Sequence, residues 1–251
     1  MFHVKNLDSF VNDLKQLHIE LSDETIQQFV DYYDLLIEWN AVMNLTAITD
    51  FDVVLKKHFV DSLSFVKTKD IIIEETGKNI LSDGLSIIDI GTGAGFPGIP
   101  LKIAFPNLKI TLLDSLNKRV QFLNAVIEKL GLKNIQAIHG RAEDFARNKE
   151  YREQYDIAVS RAVANMSTLS EYCIPFVKNN GLFIPFKSEK ISEELAHAGN
   201  ALNILNSKLV NQIEFNLPNS DLYRDLVIIK KKQTISGKYP RKAGMPSKNP
   251  L

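Results

Sequence analysis

The residues most suggestive of chemistry lie in the run Ile87-Ile88-Asp89-Ile90-Gly91-Thr92-Gly93-Ala94-Gly95-Phe96-Pro97-Gly98. An apolar, strand-like stretch runs straight into glycines and then into a helix-like stretch. Glycines at such a junction let the backbone turn tightly and let a ligand approach with no Cβ in the way. Asp114 ends the next strand-like run, 25 positions after Asp89. A carboxylate there can accept hydrogen bonds from both ribose hydroxyls of an adenosine cofactor. A third group, Gly140-Arg141-Ala142-Glu143-Asp144, follows the third run. Each acid alone also reads as a helix N-cap or a solvated loop carboxylate, and Asp144 keeps that plainer reading. Three acids at three consecutive strand ends beside a glycine loop point to a nucleoside cofactor. Glycine spacing does not choose which one. The dinucleotide pattern G-x-G-x-x-G fails from Gly91, which needs glycine where Phe96 stands, but fits from Gly93 through Gly95 and Gly98.

The acid before the loop is the better discriminator. An acidic-x-G-x-G-x-G loop resembles the first motif of class I S-adenosylmethionine-dependent methyltransferases. No Ser/His/Asp or Cys/His set accompanies it. The one cysteine, Cys173, lies in the apolar stretch Tyr172-Cys173-Ile174 and reads as core. It also rules out an internal disulfide and a cysteine-built zinc site; no metal is expected. His58 sits among apolar neighbours and reads as a satisfied, half-buried histidine. Trp39, on a helix, reads as packing rather than base stacking.

These residues need a frame to hold them. From about residue 85, strand-like runs alternate with helical ones: Ser86–Ile90, Lys109–Leu113, Asn134–Ile138, Asp156–Ser160, Gly181–Phe186, Leu209–Phe215 and Tyr223–Lys230. Helical stretches such as Asn117–Leu130, stopped by Gly131, separate the early ones. Such alternation builds βαβ units and a parallel sheet covered on both faces. The last two runs have no clear helix between them and read as an antiparallel pair at the edge. Before this, residues 1–65 read as helical. Ser22 can cap a helix carrying Ile26, Phe29, Val30, Tyr33, Leu36 and Ile37 on one stripe, and Asp50 can cap another. Residues 66–85, punctuated by Gly77 and Gly84, read as a connection. The division expected is thus a helical extension over 1–65, a core over 66–232 and a basic tail over 233–251.

The 251 residues are 45% hydrophobic and 24% charged with formal net charge +0, an ordinary globular composition and not that of a general polyanion binder. No acidic residue follows Asp225, while Lys230, Lys231, Lys232, Lys238, Arg241, Lys242 and Lys248 do. Such a stretch either meets phosphate or is simply solvated. The start lacks the pattern of a signal peptide, and the apolar runs are short for a membrane span, so a cytoplasmic protein is expected. Arg161, directly after the fourth strand, falls at the ligand edge of the sheet. Lys118, Arg119 and Lys187 fall near the same rim and join Arg241 and Lys242 as candidates for RNA.

Over most of its length the chain resembles the ribosomal small-subunit methyltransferase G family, also called glucose-inhibited division protein B. The resemblance rests on Trp39-Asn40-Ala41-Val42-Met43-Asn44-Leu45-Thr46, His58-Phe59-Val60-Asp61-Ser62-Leu63, the run Asp89 to Leu101, and Leu113-Asp114-Ser115 with Lys118-Arg119. It continues through Arg141-Ala142-Glu143, Ser160-Arg161-Ala162 and Tyr239-Pro240-Arg241-Lys242-Ala243-Gly244-Met245-Pro246. It implies an α/β fold of the Rossmann-like class I methyltransferase type, a mostly parallel seven-stranded sheet with a helical N-terminal cap. It implies methylation by S-adenosyl-L-methionine of N7 of one guanine in small-subunit (16S) ribosomal RNA near the decoding region, by a protein expected to be a monomer. Residue by residue, it places Asp89, Gly91, Gly93, Gly95 and Phe96 in the cofactor loop. Asp114, Ser115 and Leu116 fall at the ribose, Ala142 and Glu143 beside the adenine, and Arg161 at the methionine part or the substrate edge.

The chemistry agrees. Guanine N7 carries a lone pair and no proton, so positioning is the task and a general base is not required. An exocyclic amine acceptor would call for an Asn/Asp-Pro-Pro-aromatic motif where Ser160-Arg161-Ala162-Val163 stands, and a pyrimidine C5 acceptor for a nucleophilic cysteine. Two other readings share the loop. A nicotinamide-dependent oxidoreductase lacks a Tyr-x-x-x-Lys pair here. A non-catalytic RNA-binding protein would need no intact cofactor loop.

Overall fold

The computed structural model describes residues 6–161, 163–189 and 191–251. Ala162 of the Ser160-Arg161-Ala162 motif and the first five residues lie outside that range. The chain opens with helices α1 (Asp8–Gln16) and α2 (Asp23–Met43). Ser22 caps α2, its Oγ accepting from the Thr25 amide at 3.3 Å. Asn44 ends it with a left-handed φ of 51°. Asp50 caps α3 (Phe51–Val54), its Oδ1 accepting from the Val53 amide at 3.0 Å. The helical run does not stop at residue 65. It passes through a π-helical stretch, Leu55–Val60, then α4 (Asp61–Leu63), a 3-10 turn, Ser64–Thr68, and α5 (Lys69–Thr76). Gly77, at φ 71°, ends it. Half of the expected connection is therefore helix.

The sheet follows with β1 (Ser86–Ile90), α6 (Gly98–Ala104), β2 (Lys109–Asp114), α7 (Asn117–Lys129), β3 (Ile135–His139), α8 (Ala142–Phe145), β4 (Tyr155–Arg161) and α9 (Met166–Cys173). Then come β5 (Val177–Lys187), α10 (Ser192–His197), α11 (Gly199–Ile204), β6 (Ser207–Asn216), β7 (Tyr223–Lys231) and α12 (Met245–Lys248). The seven strands lie in the order β3-β2-β1-β4-β5-β7-β6. β1 to β5 are parallel, and β7 enters antiparallel between β5 and β6. The order reverses between β1 and β4, the place where open α/β sheets leave a crevice at their carboxyl ends.

Successive residues of β1 face opposite sides, and both sides are covered. Ile87 joins a core with Leu112, Ile157 and Ile184 into which the N-terminal helices insert Phe10, Phe29, Tyr32, Leu36 and Phe59. Ile88 and Ile90 join a second core with Leu113, Ala158 and Phe183, roofed by Met166, Leu169 and Cys173 of α9. Trp39 packs against Phe122 at 5.8 Å between ring centroids. The N-terminal helices thus share one core with the sheet. The residues after 232 also fold back onto it: Arg152 donates to the carbonyls of Tyr239 at 2.8 Å and Ile235 at 3.2 Å, and Arg147 to that of Pro240 at 2.5 Å.

Candidate active site

The glycine loop leaves β1 and is stitched to the end of β2. The Gly91 amide donates to the Leu113 carbonyl at 2.8 Å, and the Gly93 amide to Asp114 Oδ2 at 2.9 Å. Gly91 and Gly93 take φ values of 68° and 62°, a region that L side chains rarely enter. A Cβ on Gly91 would also lie 2.7 Å from Val163 Cγ2. Gly95, at φ 97°, serves the fold instead. A Cβ there would meet Ile99 at 2.5 Å and the Tyr32 hydroxyl at 2.7 Å, and that hydroxyl donates to the Ala94 carbonyl. So α2 braces the loop from behind.

Asp89 lies beneath the loop. Its Oδ2 accepts from Thr92 Oγ1 at 2.6 Å and the Gly98 amide at 2.9 Å. Its Oδ1 is buried with no hydrogen-bond partner among the described residues. Burial pushes its pKa up to about 6, against the lowering effect of those two donors. Asp114 is buried as well: Oδ1 accepts from the Leu116 amide at 2.9 Å, and Oδ2 from Arg119 Nη1 at 3.3 Å.

Two cavities open at the carboxyl ends of the strands, on either side of the segment that leaves β4. The first, about 390 Å³, is bounded by Ile90 and Gly91, by Leu113, Ser115 and Leu116, and by Gly140 to Glu143. Its far wall is Val163, Tyr172, Gly244 and Ser247. The second, about 470 Å³, is lined by Lys57, His58, Asp61, Arg161, Ala164, Lys187 and Arg224, among others. Its base is a charge triplet. Buried Asp61 accepts from Arg161 Nη1 at 2.9 Å through Oδ2 and from Arg224 Nε at 2.7 Å through Oδ1. Arg161 also lies over the Phe96 ring, 5.0 Å from its centroid, and His58 stacks on that ring at 4.5 Å. His58 Nε2 lies 3.0 Å from Thr46 Oγ1. Burial, and then the nearby Arg161 charge, pull the His58 pKa down to about 4. The ring is neutral at neutral pH and a weak base.

Residues 25–222 match the family described as GidB, rRNA small subunit methyltransferase G. The chain is 51% identical over 248 residues to "Ribosomal RNA small subunit methyltransferase G" of Lachnoclostridium phytofermentans, covering 99% of this chain and 98% of that one. It is 52% identical over 233 residues to the protein of that name from Acetivibrio thermocellus, covering 93% and 91%. The chain belongs to the rRNA small subunit methyltransferase G family. Among solved structures, it is similar to a chain of the complex between the Haloferax volcanii Trm112 methyltransferase activator and the putative methyltransferase. That likeness has a TM-score of 0.53 and 12% identity over 79% of this chain and 98% of that chain, and speaks to the fold alone. The fold is of the Rossmann-like class I methyltransferase type.

The geometry sorts the residues expected of such a family member. Gly91, Ser115, Leu116, Ala142 and Glu143 line the first cavity, with Gly93 and Asp114 bonded at its edge. Phe96 and Arg161 belong to the second cavity's side, and Asp89 and Gly95 support the loop from below. Of the residues expected on RNA, Lys187 lines the second cavity but donates to Glu194 Oε1 at 2.7 Å. Lys118 reaches the Met43 carbonyl at 3.3 Å, tying α7 to α2. Arg119 sits on Asp114, and Lys242 is exposed. Arg241 does not point outward: it is held on buried Glu171, Nη2 to Oε2 at 2.7 Å. Sequence reasoning assigned no role to Asp61, Arg224, Tyr172 or Gly244. Asp61 stood inside the His58–Leu63 motif, a signal for its importance but not for its partners.

The first cavity fits S-adenosyl-L-methionine. It offers glycine backbone at positive φ, a buried carboxylate at the end of β2, and a second at the start of α8. Among the described residues no helix is long and apolar enough to cross a membrane.

Proposed function

We propose that the first cavity holds S-adenosyl-L-methionine and that the second receives a guanine of small-subunit ribosomal RNA, which is methylated at N7. As a member of its family the chain is an S-adenosylmethionine-dependent methyltransferase of small-subunit ribosomal RNA. The observation that carries the finer assignment is the pairing of the two cavities across the segment after β4, one lined by strand ends and glycine, the other by cations.

Bound S-adenosylmethionine supplies an electrophilic methyl group. The chain's residues supply position. Asp114 would take the ribose hydroxyls, and Ala142 and Glu143 would border the adenine. The loop amides, fixed by Leu113 and Asp114, set the depth of the cofactor. Guanine N7 brings its own lone pair, so no residue has to remove a proton. A neutral, weakly basic His58 stacked on Phe96 fits that requirement. Lys57, Arg161 and Arg224 give the second cavity the positive field that an RNA backbone needs, while Asp61 keeps the two arginines from repelling each other. The protein acts in the cytoplasm as a monomer on RNA or the small subunit.

Titration calorimetry with S-adenosylhomocysteine tests the cofactor site. Gly93→Val has to force a β-branched residue to φ 62° and should lose measurable binding. Unchanged affinity in that variant would remove the loop from the cofactor site.

A further inference from the structure

The C-terminal segment carries basic residues, yet its arginine is turned inward. The Arg241 amide donates to Glu171 Oε1 at 2.7 Å, and its guanidinium contacts both carboxylate oxygens, at 3.0 and 3.1 Å through Nε and 2.7 Å through Nη2. Glu171 is fully buried in α9. A guanidinium in such a charge-assisted grip has its fork committed to a carboxylate rather than free for phosphate. Three residues further on, Gly244 takes φ 80°, and its amide donates to Glu143 Oε1 at 2.9 Å. Thr168 Oγ1 donates to the Pro246 carbonyl at 3.0 Å, and Ser247 Oγ to the Gly244 carbonyl at 3.2 Å. Gly244, Ser247, Tyr172 and Glu143 all line the first cavity.

We propose that residues 239–248 are a positioning segment for the nucleoside half of the cofactor, anchored by Arg241 on Glu171 and acting through Gly244 on Glu143. The ligand class is a purine nucleoside bearing a 5′-thioether or sulfonium. The segment builds the wall that faces the strand ends, and the Gly244 amide fixes one oxygen of the carboxylate beside the adenine. This rests on the reading of the first cavity as the cofactor site.

The test uses the full chain, with calorimetry on S-adenosylhomocysteine and 5′-methylthioadenosine and with KM measured separately for S-adenosylmethionine and for small ribosomal subunits. Arg241→Gln and Gly244→Ala should each weaken both nucleosides by roughly 10-fold. KM for S-adenosylmethionine should rise, and KM for subunits should stay unchanged. Arg241→Lys should recover part of the loss, and Lys232→Ala, at an exposed position outside the segment, should leave nucleoside affinity as it was. If Arg241→Gln fails to fold, Gly244→Ala, which keeps the Glu171 anchor, carries the same comparison. Unchanged nucleoside affinity in Gly244→Ala, or a rise in KM for subunits alone, overturns the proposal. Failure of the unmodified chain to bind S-adenosylhomocysteine would instead overturn the cofactor reading beneath it.

Discussion

Asp61 is the residue whose removal the molecule should tolerate least. It is buried between two guanidiniums, at 2.9 and 2.7 Å, and without it two cations face each other in a partly dry pocket. Breaking a buried pair in this way costs about 3–5 kcal/mol, so Asp61→Ala should lower the melting temperature by roughly 10 °C. Arg161→Ala leaves Asp61 with Arg224 and should cost less in stability than in methyl transfer. Melting temperatures of the two variants, with their methyl-transfer rates measured alongside, check this ordering. His58 gives a pH prediction. Its pKa falls from 6.5 unfolded to about 4 folded. The stability it contributes is therefore present above pH 6.5 and lost as pH falls through the folded value, up to about 3 kcal/mol in all. Asp89, raised to about 6 from 3.8, acts in the opposite sense, favouring the fold at low pH and losing that contribution as pH rises through 6. The acid dependence of wild-type stability should thus be shallow between pH 4 and 6. Urea titrations of His58→Gln should show that variant gaining stability relative to wild type as the buffer moves from pH 7 to 5. Much at this scale was legible: Gly91, Gly93 and Asp114 announce themselves by type and by position after apolar runs. The Asp61–Arg224 pair did not, because its members are 163 positions apart and meet only when α4 packs over β7.

Among the elements, α2 is the one that joins the N-terminal extension to the loop. The Tyr32 hydroxyl donates to the Ala94 carbonyl inside the glycine loop, and the Tyr32 ring stacks on Phe59 at 5.3 Å. Tyr32→Phe keeps the ring and strips the carbonyl of its partner, a loss of about 1–3 kcal/mol for a buried acceptor. Its expected signature is a lower melting temperature together with weaker S-adenosylhomocysteine binding, since the loop loses its brace. A variant that melted lower but bound as before would show that α2 supports the core and not the loop. All seven strands could be read from period and composition, because β-rich runs between helical stretches leave few alternatives. The helical turns at 66–76 were obscured by the short apolar run Ile71-Ile72-Ile73. The inward docking of the tail was hidden for a different reason. Its lysines and Arg241 look alike as charges, and only the buried Glu171 distinguishes the arginine.

For the whole molecule, the shared core predicts one cooperative unit. Phe10, Phe29, Tyr32 and Phe59 pack in the same cluster as Ile99, Leu101, Phe122 and the sheet, so scanning calorimetry should show a single transition. Two separable transitions would mean that the N-terminal helices fold apart from the sheet. The central claim, methyl transfer to guanine N7 across two facing cavities, is tested most directly by mapping the product. The protein is incubated with methyl-labelled S-adenosylmethionine and small-subunit ribosomal RNA from a strain lacking the gene, both deproteinised and as intact subunits, and the labelled nucleotide is identified. The account predicts label at a single 7-methylguanosine. Label on an exocyclic amine, a pyrimidine carbon or a ribose, or no label while the cofactor binds, would contradict it.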